Sequence, residues 1–127
     1  MKIKKKTLKL AVVGIISFAI LVGSISYFTG KEDPAVAELA QCLTDKGAKM
    51  YGAFWCGACH EQKKLFGNTF KYIDYIECDS RGDDPQPELC QIEGISGYPT
   101  WKINGQTLTG VRSFEQLAGV AGCEYGI

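Results

Sequence analysis

Cys56 and Cys59 stand three residues apart in Phe54-Trp55-Cys56-Gly57-Ala58-Cys59-His60. On a helix, positions three apart share a face, which puts two such sulfurs within disulfide reach. The thiolate is the reactive form of cysteine, and the first turn of a helix favours it through unpaired N–H groups and a positive dipole end. Cys56 is therefore the expected nucleophile, and the two sulfurs together are expected to form a reversible dithiol/disulfide. Two plainer roles compete. Half of a zinc site would need two further ligands at suitable spacing. His60 is the single histidine and lies too close to Cys59, and no second Cys-x-x-Cys exists, so no metal is expected. The other competitor is an inert structural bridge.

The device requires a strand ahead of it and a helix behind. Lys49-Met50-Tyr51-Gly52-Ala53-Phe54 reads as a short apolar strand, and a helix is predicted from Cys56 to about Phe66, ended by Gly67-Asn68. Upstream, Val36, Leu39, Ala40 and Leu43 recur near a 3.6-residue period, predicting a helix from Ala35 to Lys46. Asp33 is its expected N-cap, Pro34 its first residue and Gly47 its stop. Phe70 to Cys78 is aromatic and β-branched and reads as a second strand. Asp79 to Pro87 is a loop, and Glu88 to about Glu93 a short helix containing Cys90. Trp101-Lys102-Ile103 and Gln106-Thr107-Leu108 flank Asn104-Gly105, a strong hairpin signal. Ser113 caps a last helix over Glu115 to Val120. Two strands joined through a helix predict a parallel pair, and the hairpin an antiparallel one. The expected fold class is α/β, a small mixed sheet with helices on both faces.

Residues 1–30 differ in composition from residues 31–127, which have room for one domain. Lys2, Lys4, Lys5, Lys6 and Lys9 make a basic start, and Leu10 to Phe28 carries no charge. That run is close to the roughly 20 residues a hydrocarbon core requires, so a transmembrane anchor is expected, with the lysines inside and the domain outside. A cleaved secretory signal is the alternative, and both export the domain. Five of the 14 basic residues belong to this start, leaving nine against 14 acidic ones and a net charge of −5 over residues 31–127. Such a balance argues against nucleic-acid binding, which needs a positive face. Six cysteines in an exported domain of this size imply bridges. Once Cys56 and Cys59 are paired, the other four still allow three arrangements.

Trp55-Cys56-Gly57-Ala58-Cys59 at the end of the first core strand, with Tyr98-Pro99-Thr100 before the hairpin, resembles the thioredoxin superfamily over about residues 35–123. The chain looks most like the thioredoxin-like domain associated with bacterial vitamin K epoxide reductase homologues. That narrower likeness is carried by Met50 to Cys56, Glu61-Gln62-Lys63, Tyr75 to Asp79 and Gly97 to Trp101, with Cys42 and Cys123 near the two ends. The resemblance implies a thioredoxin-like fold in which Cys56 attacks and Cys59 resolves. It implies a cis-proline at Pro99, a Tyr98 backbone that pairs with extended substrate, and a Trp55 that shields the disulfide. With it come expected bridges Cys42–Cys123 and Cys78–Cys90, read as staples, the second having a redox relay as its alternative. Two positions depart from ordinary thioredoxin. Ala58 stands where a proline is common, and Met50 stands where thioredoxins bury an aspartate that helps move the resolving thiol's proton. His60 could lend charge to the site or be a solvated helix residue.

The expected function is a membrane-anchored, extracytoplasmic thiol-disulfide oxidoreductase that introduces or exchanges disulfides in exported proteins. It requires no cofactor and is reoxidised by a quinone-linked, vitamin K epoxide reductase-like membrane partner. Its compartment would be the periplasm, thylakoid lumen or cell exterior. The alternatives are an extracytoplasmic reductase of the cytochrome c maturation type and a non-catalytic binding module.

Overall fold

The computed structural model describes residues 5–28 and 30–126, with the side chains of residues 6–21 and 30–126. The chain divides into two compact units, Met1–Lys31 and Glu32–Ile127.

The first unit is a single helix, α1 (Lys5–Phe28), in which no proline interrupts a run rich in Leu, Ala and Ile. Its side chains from Lys6 to Leu21 are all exposed. Among the described residues no helix is long and apolar enough to cross a membrane. The expected transmembrane helix is not found among the described residues: a helix is present there, and the side chains of residues 22–28 lie outside them.

The second unit runs α2 (Pro34–Asp45), β1 (Lys49–Gly52), α3 (Gly57–Phe66), a 3-10 segment (Gly67–Tyr72), β2 (Asp74–Glu77), α4 (Pro87–Ile92), β3 (Thr100–Ile103), β4 (Gln106–Thr109) and α5 (Phe114–Ala121). The four strands form one sheet in the order β2-β1-β3-β4. β1 lies parallel to β2 and antiparallel to β3, and β3 is antiparallel to β4. Asn104 and Gly105 both take positive φ, 49° and 74°, the geometry that a two-residue hairpin turn demands.

Local chemistry sets the ends of the helices. The Asp33 carboxylate accepts the Ala35 N–H at 2.9 Å, and Pro34 begins α2. Ser113 and Gln116 form a reciprocal capping box at α5. Val36, Leu39, Ala40 and Leu43 are the buried face of α2. They join residues of α3 and α5, with Met50, Trp101 and Ile103, in the main core. Burial of a leucine of this kind is worth about 1.5–3 kcal/mol relative to exposure. The opposite sheet face carries a smaller cluster of Tyr51, Ile76, Cys78 and Cys90, with Leu89 and Ile95 beside it. Helices thus lie on both faces, α2, α3 and α5 on one and α4 on the other.

The second strand is shorter than its composition suggested. Residues 67–72 wind as a 3-10 segment, where the Thr69 hydroxyl donates to the Phe66 carbonyl at 2.6 Å and the Phe70 ring packs on Phe66 and Tyr75. Those aromatic residues fill the core from a turn, and pairing with β1 begins at Asp74.

Candidate active site

β1 ends at Gly52, and three residues carry the chain to Cys56, the N-cap of α3. Cys56 has extended backbone angles, and its Sγ accepts the N–H of Cys59 at 3.1 Å. The sulfur fills the position in which Ser or Asp ordinarily caps a helix, so a thiolate formed there would face N–H donors. Cys56 and Cys59 are both free thiols. Cys56 keeps 7% of its surface open, whereas Cys59 keeps 1%. Burial pushes the Cys59 thiol up from 9.0 to about 12, helped by its hydrogen bond to Cys56, while the Ala53 backbone and Lys63 pull the other way. Both residues are buried, Cys56 less completely, and Cys59 is held protonated, so the two sulfurs are suited to unequal parts.

Trp55 is 56% exposed at the mouth of the site. Its indole N–H donates to Asp79 Oδ2 at 2.7 Å, and its ring meets that of Tyr98 edge-on at 6.0 Å. The Arg81 guanidinium grips Asp79 with bonds of 3.0 and 2.8 Å and holds its carboxyl well below the usual range. Arg81 also lies over the Phe54 ring at 5.7 Å. The Tyr98–Pro99 bond is cis. Pro99 is buried, and its carbonyl accepts the Gly110 N–H at 2.8 Å. Tyr51 pairs with Thr100, so the same antiparallel register sets Pro99 across from Gly52. A Cβ on Gly52 would stand 3.0 Å from Cys59 Sγ, so Gly52 is the floor on which the resolving sulfur rests. His60 Nε2 donates to the Phe54 carbonyl at 2.8 Å, which ties the start of α3 back to the loop before it.

Cys42 is bonded to Cys123 and Cys78 to Cys90. Cys78 and Cys90 sit in the cluster on the far face of the sheet from Cys56 and Cys59. The intervening sheet favours a staple over a relay for that pair.

Asp79, Arg81 and the Tyr75–Glu77 pair support the site but had no assigned role in the sequence. The signal available was Tyr75 and Glu77 alternating on a strand whose inward face must be buried. Met50 is fully buried in the main core.

No protein-family model matches the chain. Over 98 residues it is 39% identical to Thiol-disulfide oxidoreductase LTO1 of Arabidopsis thaliana, a match covering 74% of this chain and 26% of that protein. The chain thus spans about a quarter of the length of this curated relative. Oxidized glutaredoxin 2 of Chlamydomonas reinhardtii is similar in structure, with TM-score 0.41 and 24% identity, over 71% of this chain and 95% of that one. Fasciola hepatica thioredoxin has TM-score 0.41 and 13% identity, over 68% and 91%. With its four-stranded mixed sheet, its dithiol at the mouth of α3 and its proline at the start of β3, the chain has a mixed α/β thioredoxin-like fold.

Proposed function

We propose that this protein is a thiol-disulfide oxidoreductase working through Cys56 and Cys59. The observation that carries the proposal is the inequality of the two sulfurs at one helix mouth, Cys56 at the N-cap with 7% of its surface exposed and Cys59 behind it with 1%. As an oxidant, the Cys56–Cys59 disulfide is attacked at Cys56 by a substrate thiolate, and Cys59 leaves. A second substrate thiolate then attacks the mixed disulfide, releasing oxidised substrate and the reduced pair. Trp55 and Tyr98 form the surface that receives the substrate segment, with the buried Pro99 next to Tyr98.

The working place is outside the cytoplasm. Two disulfides away from the site support an oxidising compartment. The basic start and charge-free run of residues 1–30 support an export segment, acting as membrane tether or as signal, which the mass of the mature protein distinguishes. Substrates are exported proteins with cysteine thiols. Reoxidation falls to a quinone-linked membrane partner of the vitamin K epoxide reductase type, a reading that rests on the residues carrying that resemblance.

Trapping tests the exchange: Cys59→Ala accumulates mixed disulfides with exported proteins and Cys56→Ala accumulates none. Equal labelling of both variants, or of neither, removes the proposal in favour of a binding module. Equilibration with glutathione sets the direction. A potential toward roughly −120 mV fits the oxidant, and one near −270 mV fits a reductase.

A further inference from the structure

Glu77 on β2 is a buried carboxyl group, 4% exposed, directly behind the site. Acidic side chains are seldom buried without partners, because desolvation of the charge is costly. Glu77 Oε2 accepts the Tyr75 hydroxyl at 3.0 Å, and Oε1 accepts the Asp79 N–H at 2.9 Å. The register of the parallel pair sets Met50 beside Tyr75 and Gly52 beside Glu77, so these four positions share one sheet face. Cys59 lies against that face. The point at which Gly52 would carry a Cβ is 3.0 Å from Cys59 Sγ and 3.1 Å from the Tyr75 hydroxyl oxygen. Sulfur and hydroxyl therefore border the same small space above Gly52, which the missing side chain leaves clear.

We infer that Tyr75 and Glu77 are a proton relay for the Cys59 thiol. The inference rests on the thiol-disulfide exchange proposed above. When Cys59 must attack a mixed disulfide at Cys56, its proton passes across the space above Gly52 to the Tyr75 oxygen. The hydroxyl proton of Tyr75 passes to Glu77, giving a Cys59 thiolate and a neutral Glu77 carboxyl. The thiolate then forms the Cys56–Cys59 bond as the bond from Cys56 to the substrate breaks. The substrate leaves as a thiolate, reduced by two electrons, and the pair is oxidised by two. In the opposite direction Cys59 is the leaving thiolate, and the relay returns the proton to it.

The charged and titratable groups facing this path are Cys56 and Lys63 from α3 and Glu77 from β2. Lys63 holds its ammonium 3.9 Å from the Tyr75 ring centroid, near enough to favour the anionic forms of the path without being bonded into it. The burial that keeps Cys59 protonated explains why such a path is needed, since the thiol does not ionise unaided near neutral pH.

The test uses the reduced full chain with Cys42–Cys123 and Cys78–Cys90 intact, reacted with dithiobis-nitrobenzoate. This aromatic disulfide releases one coloured thiolate when Cys56 attacks it and a second when Cys59 resolves the mixed disulfide. In Tyr75→Phe and in Glu77→Gln the first release keeps its wild-type rate. The second slows on the order of 10²-fold at neutral pH, the scale of a positioned acid or base. The gap closes as pH rises far enough for Cys59 to ionise on its own. A second release at the wild-type rate in both variants overturns the relay while leaving the exchange standing. Equal slowing of both releases at every pH also overturns it, since that is what a packing role alone produces. The absence of any first release from the wild-type chain overturns the exchange itself.

Discussion

Trp55 and Asp79 are 24 residues apart in sequence, yet the indole Nε1–H of one donates to the carboxylate of the other at 2.7 Å. The bond fixes the exposed ring of the residue next to Cys56, and Arg81 fixes the carboxylate in turn. Asp79→Ala should loosen the ring without disturbing the core, because neither group is buried within it. The expected result is lower tryptophan fluorescence anisotropy and a loss of about fivefold in kcat/KM for protein disulfide exchange, the scale of one hydrogen bond. Unchanged anisotropy would show that packing against Tyr98 holds the ring without help.

The raised ionisation of Cys59 makes the stability of the reduced protein depend on pH. Its thiol titrates near 9.0 when unperturbed and near 12 in the fold, so the folded state binds the proton more tightly. The contribution is fully present below about pH 9 and is lost as pH rises toward about 12. Tyr75, held protonated by burial and by Glu77, adds to the same slope at the alkaline end. Thermal unfolding of the reduced form should therefore fall in midpoint across this window. Cys59→Ala should show a visibly shallower fall, and an identical slope in the two proteins would contradict the assignment.

Gly52 is intolerant of even one added methyl group. A Cβ there would stand 2.9 Å from Tyr75 Cε2 and 3.0 Å from Cys59 Sγ. Gly52→Ala should cost about 1–3 kcal/mol in denaturant unfolding, as overpacking does elsewhere. It should also change the reactivity of Cys59 toward alkylating reagents, because the sulfur must move.

The two staples should differ in worth. Cys42–Cys123 closes a separation of 81 residues and Cys78–Cys90 one of 12. By the chain-entropy argument the longer loop is worth about 4.5 kcal/mol and the shorter about 3 kcal/mol. The double replacement Cys42→Ala with Cys123→Ala should consequently shift the unfolding midpoint more than Cys78→Ala with Cys90→Ala. The reverse order would show that the loop at residues 79–86 relies on its bridge for native packing.

Where interactions are local, sequence and structure agree closely. The spacing of Val36, Leu39, Ala40 and Leu43, with Asp33 and Pro34 ahead of them, predicts a helix that occupies Pro34–Asp45. Asn104-Gly105 marks the turn between β3 and β4. Composition misled at Phe70 to Tyr72, because aromatic side chains that could line a strand also fill a core from a tight turn. Within the site, the two cysteines are only three residues apart, so their shared place at the mouth of α3 was legible. The Trp55–Asp79 bond and the placement of Met50 beside Tyr75 were not. Each depends on a strand register that no short stretch of sequence encodes.

The bond from Cys42 to Cys123 also decides how this unit carries load. One cysteine lies in the first helix of the unit and the other just past its last helix, so the entering and leaving segments are clamped together covalently. Tension applied between those two segments is borne by the sulfur–sulfur link. The strands that aim Cys56 are left mechanically unloaded.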